Sequence, residues 1–170
     1  MDPFATLGIP RQFDVDLATV ERTHRELSRA LHPDRFVGAP PSERRAALAR
    51  AIEVNEAWRV VRDPIRRAEA ILTLAGVAVG EDREPKADPE FLMEMLEQRE
   101  ALADARHSRD LGAVRKMAAA IEARALDVQR RLSDGFARGD ASSLVGSVGE
   151  LRFYRRFLDE VSAIVDELAA

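Results

Sequence analysis

The chain has 170 residues, of which 46% are hydrophobic and 33% charged, so it can form one or two packed cores but carries too many charges for a membrane protein. No run approaches the roughly 20 apolar residues of a spanning helix, and the absence of Cys excludes disulfides and thiolate ligation of a metal. The net charge of -4 argues against a nucleic-acid partner. The amino terminus has neither a basic region followed by an apolar run nor an Arg-rich transit pattern. We therefore expect a cytoplasmic protein with no membrane or nucleic-acid partner.

The charges are distributed unevenly along the chain. Residues 1–75 carry twelve Lys or Arg against eleven Asp or Glu, whereas residues 76–170 carry fourteen against nineteen. This asymmetry indicates either two parts with different partners or ordinary drift on a solvated surface.

The first 75 residues predict two antiparallel helices with short flanking helices. The first long helix has Asp14 or Asp16 as its N-cap and ends before Pro33, because the residue preceding a proline is disfavoured in the helical region. Its apolar face recurs at spacings of three and four residues: Leu17, Val20, His24, Leu27 and Leu31. We expect a loop from His32 to Pro41 to follow this helix.

The second long helix is predicted from a cap at Ser42 to Asp63-Pro64. Its inward stripe is expected to consist of Leu48, Ala51, Ile52, Asn55 and Val61. A short third helix begins near Pro64 and is ended by Gly76. Its apolar residues are Ile65, Ala68, Ile71 and Leu72.

The remainder predicts a linker and three further helices. Residues 76–87 have the composition of a linker, and Asp88-Pro89 begins a helix that continues to about Ala105. The next helix has the apolar spacing of an antiparallel bundle at Leu111, Val114, Ala118, Ile121, Ala125, Val128 and Leu132. After the break at Gly139-Asp140, the last helix has the seam Leu144, Ser147, Leu151, Tyr154, Leu158, Val161, Val165 and Leu168. The predicted fold is all-α, with an N-terminal domain at 1–75, a linker at 76–87 and a C-terminal three-helix bundle at 88–170.

Two helices of the predicted bundle have more apolar surface than one buried stripe requires. In the first of them, the arc that can face the core holds Phe91, Met95 and Leu102, and the residues well away from it are Leu92, Met93 and Leu96. In the last helix, the residues roughly opposite the seam are Phe153, Phe157 and Ile164. Such surplus faces either pack on other helices or bind a partner, and both alternatives remain open for Phe157 and Ile164.

One motif stands in the loop between the two N-terminal helices. His32-Pro33-Asp34 follows a basic helix, and Asn55-Glu56-Ala57-Trp58 and Asp63-Pro64 occupy the next helix and its end. This arrangement resembles a J-domain. The resemblance extends to the HscB family, in which a J-domain is fused to a helical bundle, through Arg67-Ala68-Glu69, Phe91-Leu92-Met93-Glu94, Leu96-Glu97, Arg99-Glu100 and Leu151-Arg152-Phe153.

The resemblance implies a co-chaperone with two protein partners and no catalytic site of its own. The J-domain would bind a DnaK-class, HscA-like chaperone ATPase and stimulate it through His32, Pro33, Asp34, Arg22, Arg25, Arg29 and Arg35. The bundle would bind an IscU-like scaffold protein of iron-sulfur cluster assembly through Leu92, Met93, Leu96, Glu97, Glu100 and Phe153. A rival function is a J-domain protein whose bundle recruits a different client. No cofactor or metal role is implied, because the Cys-rich metal site of some eukaryotic relatives is absent.

The residues themselves supply physical reasons for these roles. Pro33 fixes the exit from the first helix, and Asp34 can then accept charge-assisted hydrogen bonds from an Arg of the ATPase. The alternative is that Asp34 merely caps a turn and His32 ends a helix. Arg22, Arg25 and Arg29 form a basic stripe that either steers the chain toward an acidic partner or is a solvated face softened by neighbouring Glu residues.

The sequence gives little support for an enzymatic function. His24, His32 and His107 do not have the spacing of metal ligands, and there is no phosphate-binding loop or nucleophile motif.

For the bundle, Leu92, Leu96 and Phe153 are expected to form one exposed patch that can be truncated with little loss of stability. We expect Phe153 to reach this patch from the facing end of the last helix in an antiparallel bundle.

Overall fold

The computed structural model describes residues 1–80 and 87–169, and all regular secondary structure in those ranges is helical. Short 3-10 helices span Pro33–Phe36 and Ala141–Leu144. The α-helices are α1 (Pro3–Leu7), α2 (Leu17–Ala30), α3 (Pro41–Arg62), α4 (Pro64–Leu74), α5 (Pro89–His107), α6 (Leu111–Ala137) and α7 (Val145–Ala169). The chain forms two compact units, Met1–Val77 and Ala78–Ala170. Within the described ranges, none of the helices combines the length and apolar character needed to cross a membrane.

Local sequence signals define most of the helix ends. Asp16, one of the two predicted caps, accepts a hydrogen bond from the amide of Ala18 at the start of α2. Asp63 accepts from the amides of Ile65 and Arg66, and Asp88 accepts from the amide of Glu90. The predicted starts of α4 and α5 are therefore confirmed. The predicted cap at Ser42 is wrong, because α3 already begins at Pro41, whose ring suits the first helical position.

The N-terminal unit is built around the antiparallel pair α2 and α3. The short helix α1 and the helix α4 also pack on α3, and the buried side chains between them form one core. This core contains Phe4, Leu7, Phe13, Val20, Val54, Ala57, Val61, Ile65, Ala68, Ile71 and Leu72. The predicted apolar face of α4 is thus confirmed, and Gly76, with φ of 78°, follows its end.

The predicted inward stripe of α3 is largely wrong. Leu48 and Ile52 are 56% and 60% exposed, and Asn55 is also exposed. The buried positions of α3 are Ala47, Val54, Ala57 and Val61, of which only the last was expected. The physical reason is that α3 packs on α1, α2 and α4, and these neighbours together decide which of its apolar faces is buried.

A buried arginine links three segments of the N-terminal unit. Arg67 on α4 is 6% exposed, and its Nη1 donates a hydrogen bond of 2.7 Å to the carbonyl oxygen of Val61 at the end of α3. Its guanidinium carbon lies 4.7 Å from the ring centroid of Phe13, in the segment that precedes α2. Burial lowers the pKa of Arg67, and the carboxylates of Asp63 and Asp14 oppose this shift.

The C-terminal unit is a three-helix bundle. Its α6 runs antiparallel to both neighbours, as shown by the ion pairs Arg124–Glu94 and Arg131–Glu150. The core between the helices contains Met95, Leu102, Val114, Ile121, Val128, Leu132, Leu151, Tyr154, Phe157, Val161 and Ile164.

The outer helices α5 and α7 run parallel to each other. Arg99 pairs with Glu160 at 3.9 Å. About two helical turns further along both helices, Arg106 pairs with Glu167 at 2.5 Å. Both members of each pair advance along the chain together, which only parallel helices allow. The bundle is therefore antiparallel as expected, and within it Phe153 lies on a helix that runs parallel to α5.

The predicted seam of α7 is displaced around the helix. Leu151, Tyr154 and Val161 are buried as predicted, whereas Leu158 and Val165 are only partly buried. In their place, side chains assigned to the opposite face are in the core: Phe157 is 0% exposed and Ile164 is 3% exposed. Because α7 packs against both α5 and α6, its buried arc is wider than a single seam. Of the two alternatives for Phe157 and Ile164, core packing is confirmed.

Candidate interaction surfaces

The His-Pro-Asp tip, residues 32–36, forms a 3-10 turn within the stretch that the sequence predicts as a loop. The amide of Asp34 donates to Nδ1 of His32 at 3.4 Å, and the amide of Arg35 donates to the carbonyl oxygen of His32 at 3.0 Å. His32 is therefore the residue that caps this turn. The Asp34 side chain is 86% exposed, with one carboxylate oxygen 3.5 Å from Nδ1 of His32. The turn fixes the backbone beneath a carboxylate that faces solvent.

The basic stripe, Arg22, Arg25 and Arg29, lies on the exposed side of α2. Arg25 forms an ion pair with Glu21 one turn earlier, and Arg22 donates to Oγ1 of Thr19 at 3.2 Å. These local contacts organise the stripe without removing it from solvent. A shallow, open depression on the surface of α2 is lined by Ala18, Glu21, Arg22, Arg25, Glu26 and Arg29.

The α2–α3 pair is held together behind the stripe by a polar and aromatic contact. His24 stacks on Trp58 with ring centroids 5.4 Å apart, and its Nε2 lies 2.9 Å from Oδ1 of Asn55. The exposed Leu48 and Ile52 lie one helical turn apart on the side of α3 that also holds Asn55. They add an apolar area that the sequence reasoning missed. In the sequence, Ala47, Val54 and Val61 recur every seven residues, and this spacing could have indicated that they form the buried face and that Leu48 and Ile52 lie outside it.

The bundle patch consists of Leu92, Met93, Leu96 and Phe153. The three residues on α5 are 43%, 57% and 50% exposed in that order, which agrees with their predicted position outside the core. Glu97 and Glu100 on the same helix are exposed as well. Large apolar side chains exposed together on one helix are unusual for a surface that contacts only water.

Phe153 is only half-buried and has one aromatic neighbour and one cationic neighbour. Its ring meets the ring of Phe91 edge to face, with centroids 5.5 Å apart and an interplanar angle of 81°. The guanidinium carbon of Arg156 lies 5.8 Å from the centroid of the Phe153 ring. Because Phe91 precedes Leu92, this contact brings Phe153 to the part of α5 that carries the exposed leucines.

Both surfaces consist mainly of exposed side chains. Among the residues that the structure describes, no group of three or more His, Asp or Glu side chains is arranged to hold a metal ion. The tip and the bundle patch instead present exposed charges and apolar side chains on fixed helical supports. Such surfaces are suited to binding other proteins.

Comparison with known proteins agrees with this description. Residues 87–162 match the family described as the HSCB C-terminal oligomerisation domain. Proteins named co-chaperone protein HscB homolog are similar over nearly the whole chain. The one from Shewanella oneidensis is 34% identical over 99% of both chains, and the one from Bordetella pertussis is 37% identical over 95% of both.

Solved structures give the same result. The chaperone HscB from Vibrio cholerae superimposes with a TM-score of 0.88, at 29% identity and with 99% of both chains covered. Human co-chaperone HscB matches with a TM-score of 0.87, covering 96% of this chain and 81% of that one, and at 23% identity it supports the fold alone. The chain therefore belongs to the HscB family of co-chaperones, with an N-terminal J-domain followed by a C-terminal three-helix bundle.

Proposed function

We propose that the protein binds an iron-sulfur cluster scaffold of the IscU kind, delivers it to a DnaK-class, HscA-like chaperone and stimulates the ATPase of that chaperone. The observation that carries this proposal is the presence, in one HscB-family chain, of an exposed His-Pro-Asp tip and an exposed apolar patch that share no residue. A co-chaperone that presents a client needs two such separate surfaces. It requires no catalytic group, and the relatives are named co-chaperones rather than enzymes.

The ATPase would bind the tip and the basic stripe. Asp34 offers a solvated carboxylate on a fixed turn, so little conformational entropy is lost when an Arg of the ATPase binds it. The stripe raises the rate of encounter with an acidic surface by long-range attraction. Leu48 and Ile52, exposed on the adjacent helix, add apolar area to the same interface.

The scaffold would bind the bundle patch. Leu92, Leu96 and Phe153 provide the apolar anchors, and Glu97 and Glu100 lie at the edge, where exposed charges favour one orientation over others. Holding the scaffold and the ATPase on one chain raises the effective concentration of each near the other. Delivery of the client and stimulation of hydrolysis then become a single coupled event.

The test is an ATPase assay with a purified DnaK-class chaperone and a purified cluster-free scaffold. We expect Asp34→Asn to abolish stimulation while leaving helical content and scaffold binding unchanged. Asp159→Asn, at an exposed carboxylate of α7, is the matched control and should stimulate like the parent. If Asp34→Asn accelerates ATP turnover as well as the parent does, the proposed ATPase role is wrong.

A different client is the second candidate for the bundle. A pull-down with the full chain as bait separates the two functions, because the proposed one requires that a DnaK-class ATPase and an iron-sulfur scaffold are both recovered. Recovery of the ATPase without the scaffold would favour the other client.

A further inference from the structure

The bundle patch has different charges on its two sides. At 3.6 residues per turn, the side chains of α5 follow one another away from α7 in the order Arg99, Leu92, Leu96, Glu100, Met93 and Glu97, over an arc of about 160°. Arg99 marks the side next to α7, because it pairs with Glu160. The carboxylates of Glu97 and Glu100 therefore flank Met93, on the side of the patch remote from α7.

A cation borders the patch on the α7 side. Phe153 contacts Phe91 of α5, whereas Tyr154 and Phe157 are buried, so the outward direction from Phe153 is the one away from those two residues. Arg156 lies on this outer side, about 60° around the helix from Phe153, and is exposed. Its guanidinium lies over the Phe153 ring. The nearby Glu160 forms an ion pair with Arg99 of α5, so these two side chains together add little net charge to this side of the patch.

The position of Arg156 has two physical consequences. The guanidinium carbon of Arg156 lies near the Phe153 ring, and an arginine side chain can bind a carboxylate bidentately through its N–H groups. The Phe153 ring also contacts Phe91, so its position is restricted by both neighbours. Arg156 thus prepares an apolar anchor and a site for an acidic side chain at one place.

We infer that Arg156 is a specificity-determining residue of the scaffold interface, where it binds a carboxylate of the scaffold. This inference rests on the proposed function and defines the chemistry of the partner surface. That surface is an apolar area with an acidic side chain opposite Arg156 and basic side chains opposite Glu97 and Glu100. The two opposite charges fix the direction in which the scaffold lies across α5 and α7, since the reversed orientation brings like charges together.

The experiment measures binding of the purified, cluster-free scaffold to the full chain by calorimetry at low and high salt. We expect Arg156→Glu to raise Kd on the order of tenfold at about 0.1 M salt, Arg156→Gln to raise it less, and both effects to shrink as salt screens the charges. The matched control is Arg130→Glu, at an exposed position of α6 that pairs with Asp127. It makes the same change in charge and should alter Kd less than twofold.

Charge reversal on the scaffold identifies the partner group. Exposed Asp and Glu residues of the scaffold are changed to Lys one at a time, and one of these variants should restore binding to Arg156→Glu while weakening binding to the parent. A purely structural role of Arg156 gives no such rescue. Thermal melting of each variant separates loss of fold from loss of binding, and Arg156→Gln serves if Arg156→Glu does not fold.

The outcomes distinguish the inference from the function on which it rests. If the parent does not bind the scaffold, the proposed function itself fails. If the parent binds, Leu92→Ala weakens binding and Arg156→Glu does not, only the role of Arg156 is rejected. Self-association of the parent that Arg156→Glu abolishes in sedimentation experiments, with scaffold binding unchanged, would assign this side of the patch to a second copy of the chain and overturn the inference.

Discussion

The ring of Phe153 meets the ring of Phe91 edge to face at 5.5 Å, and this contact connects the first turns of α5 to α7. Phe153 is consequently part of the packing of the bundle as well as part of the patch. The expectation that it can be truncated as harmlessly as an exposed leucine is therefore revised. Truncating the exposed leucines should therefore weaken binding alone, whereas truncating Phe153 should weaken both binding and stability.

The double variant Leu92→Ala, Leu96→Ala should weaken scaffold binding by about 2 to 4 kcal/mol and leave the free energy of unfolding almost unchanged. Phe153→Ala should weaken binding too, but it should also lower the free energy of unfolding by about 1 to 2 kcal/mol, because it removes the aromatic pair with Phe91. Calorimetric titration and urea denaturation measure the two quantities. Leu126→Ala, at an exposed leucine of α6, is the control and should change neither. Unchanged affinity in the double variant would show that the patch does not bind the scaffold.

The association of the J-domain with the ATPase should depend on salt. The Debye length falls from about 10 Å at 0.1 M to about 3 Å at 1 M, so attraction by Arg22, Arg25 and Arg29 weakens over that range. Stopped-flow association rates should fall with ionic strength for the parent and respond much less when all three residues are changed to Gln. Rates that are equally insensitive to salt in both proteins would remove the steering role of the stripe.

The burial pattern of α3 predicts a large loss of stability at one position and a small loss two residues away. Val54→Ala should lower the free energy of unfolding by about 2 kcal/mol, because Val54 is 1% exposed in the core of the N-terminal unit. Ile52→Ala removes more atoms but should cost less than about 0.5 kcal/mol, because its side chain is in solvent. Urea denaturation of the two variants measures both. A larger loss at Ile52 would restore the stripe expected from the sequence.

Gly135 of α6 lies against the side chain of Leu144 in the segment before α7. A Cβ atom at Gly135 would lie 2.6 Å from Cδ2 and 2.9 Å from Cδ1 of Leu144, which is itself buried. Alanine normally stabilises a helix relative to glycine by up to about 1 kcal/mol, but forcing Leu144 to move should outweigh this gain and lower the stability by about 1 kcal/mol. In a double-mutant cycle, Gly135→Ala should become neutral or stabilising when Leu144 is also changed to Ala. An equal loss in both backgrounds would mean that Leu144 is not the obstacle.

Arg67 should contribute to the stability of the J-domain. Arg67→Ala leaves the carbonyl of Val61 without its donor and removes the guanidinium from Phe13, so we expect a loss of about 2 to 4 kcal/mol in the free energy of unfolding. Arg66→Ala, at the exposed neighbouring position, provides the control for helix propensity and should cost little. Chemical denaturation compares the two, and equal losses would argue against a special role for the buried arginine.

The sequence by itself determined most of the helix ends and where the His-Pro-Asp tip lies. These features depend on local chemistry: Asp16, Asp63 and Asp88 each accept from amides within the following turn, and Gly76 adopts a positive φ that other residues disfavour. The exposure of Leu92, Met93 and Leu96 also followed from the sequence, because these residues lie well outside the arc of Met95 and Leu102.

Only the tertiary structure decided which faces of α3 and α7 are buried and how Phe153 reaches the patch. Both helices have apolar residues on more than one face, so periodicity alone does not choose between them. The choice depends on neighbours distant in sequence: the five-residue α1 is too short to show a pattern yet packs on α3, and α5 and α6 together bury Phe157. The parallel direction of α5 and α7, which brings Phe153 beside Phe91, is likewise a consequence of the whole bundle, because alternate helices of an up-down-up arrangement run the same way.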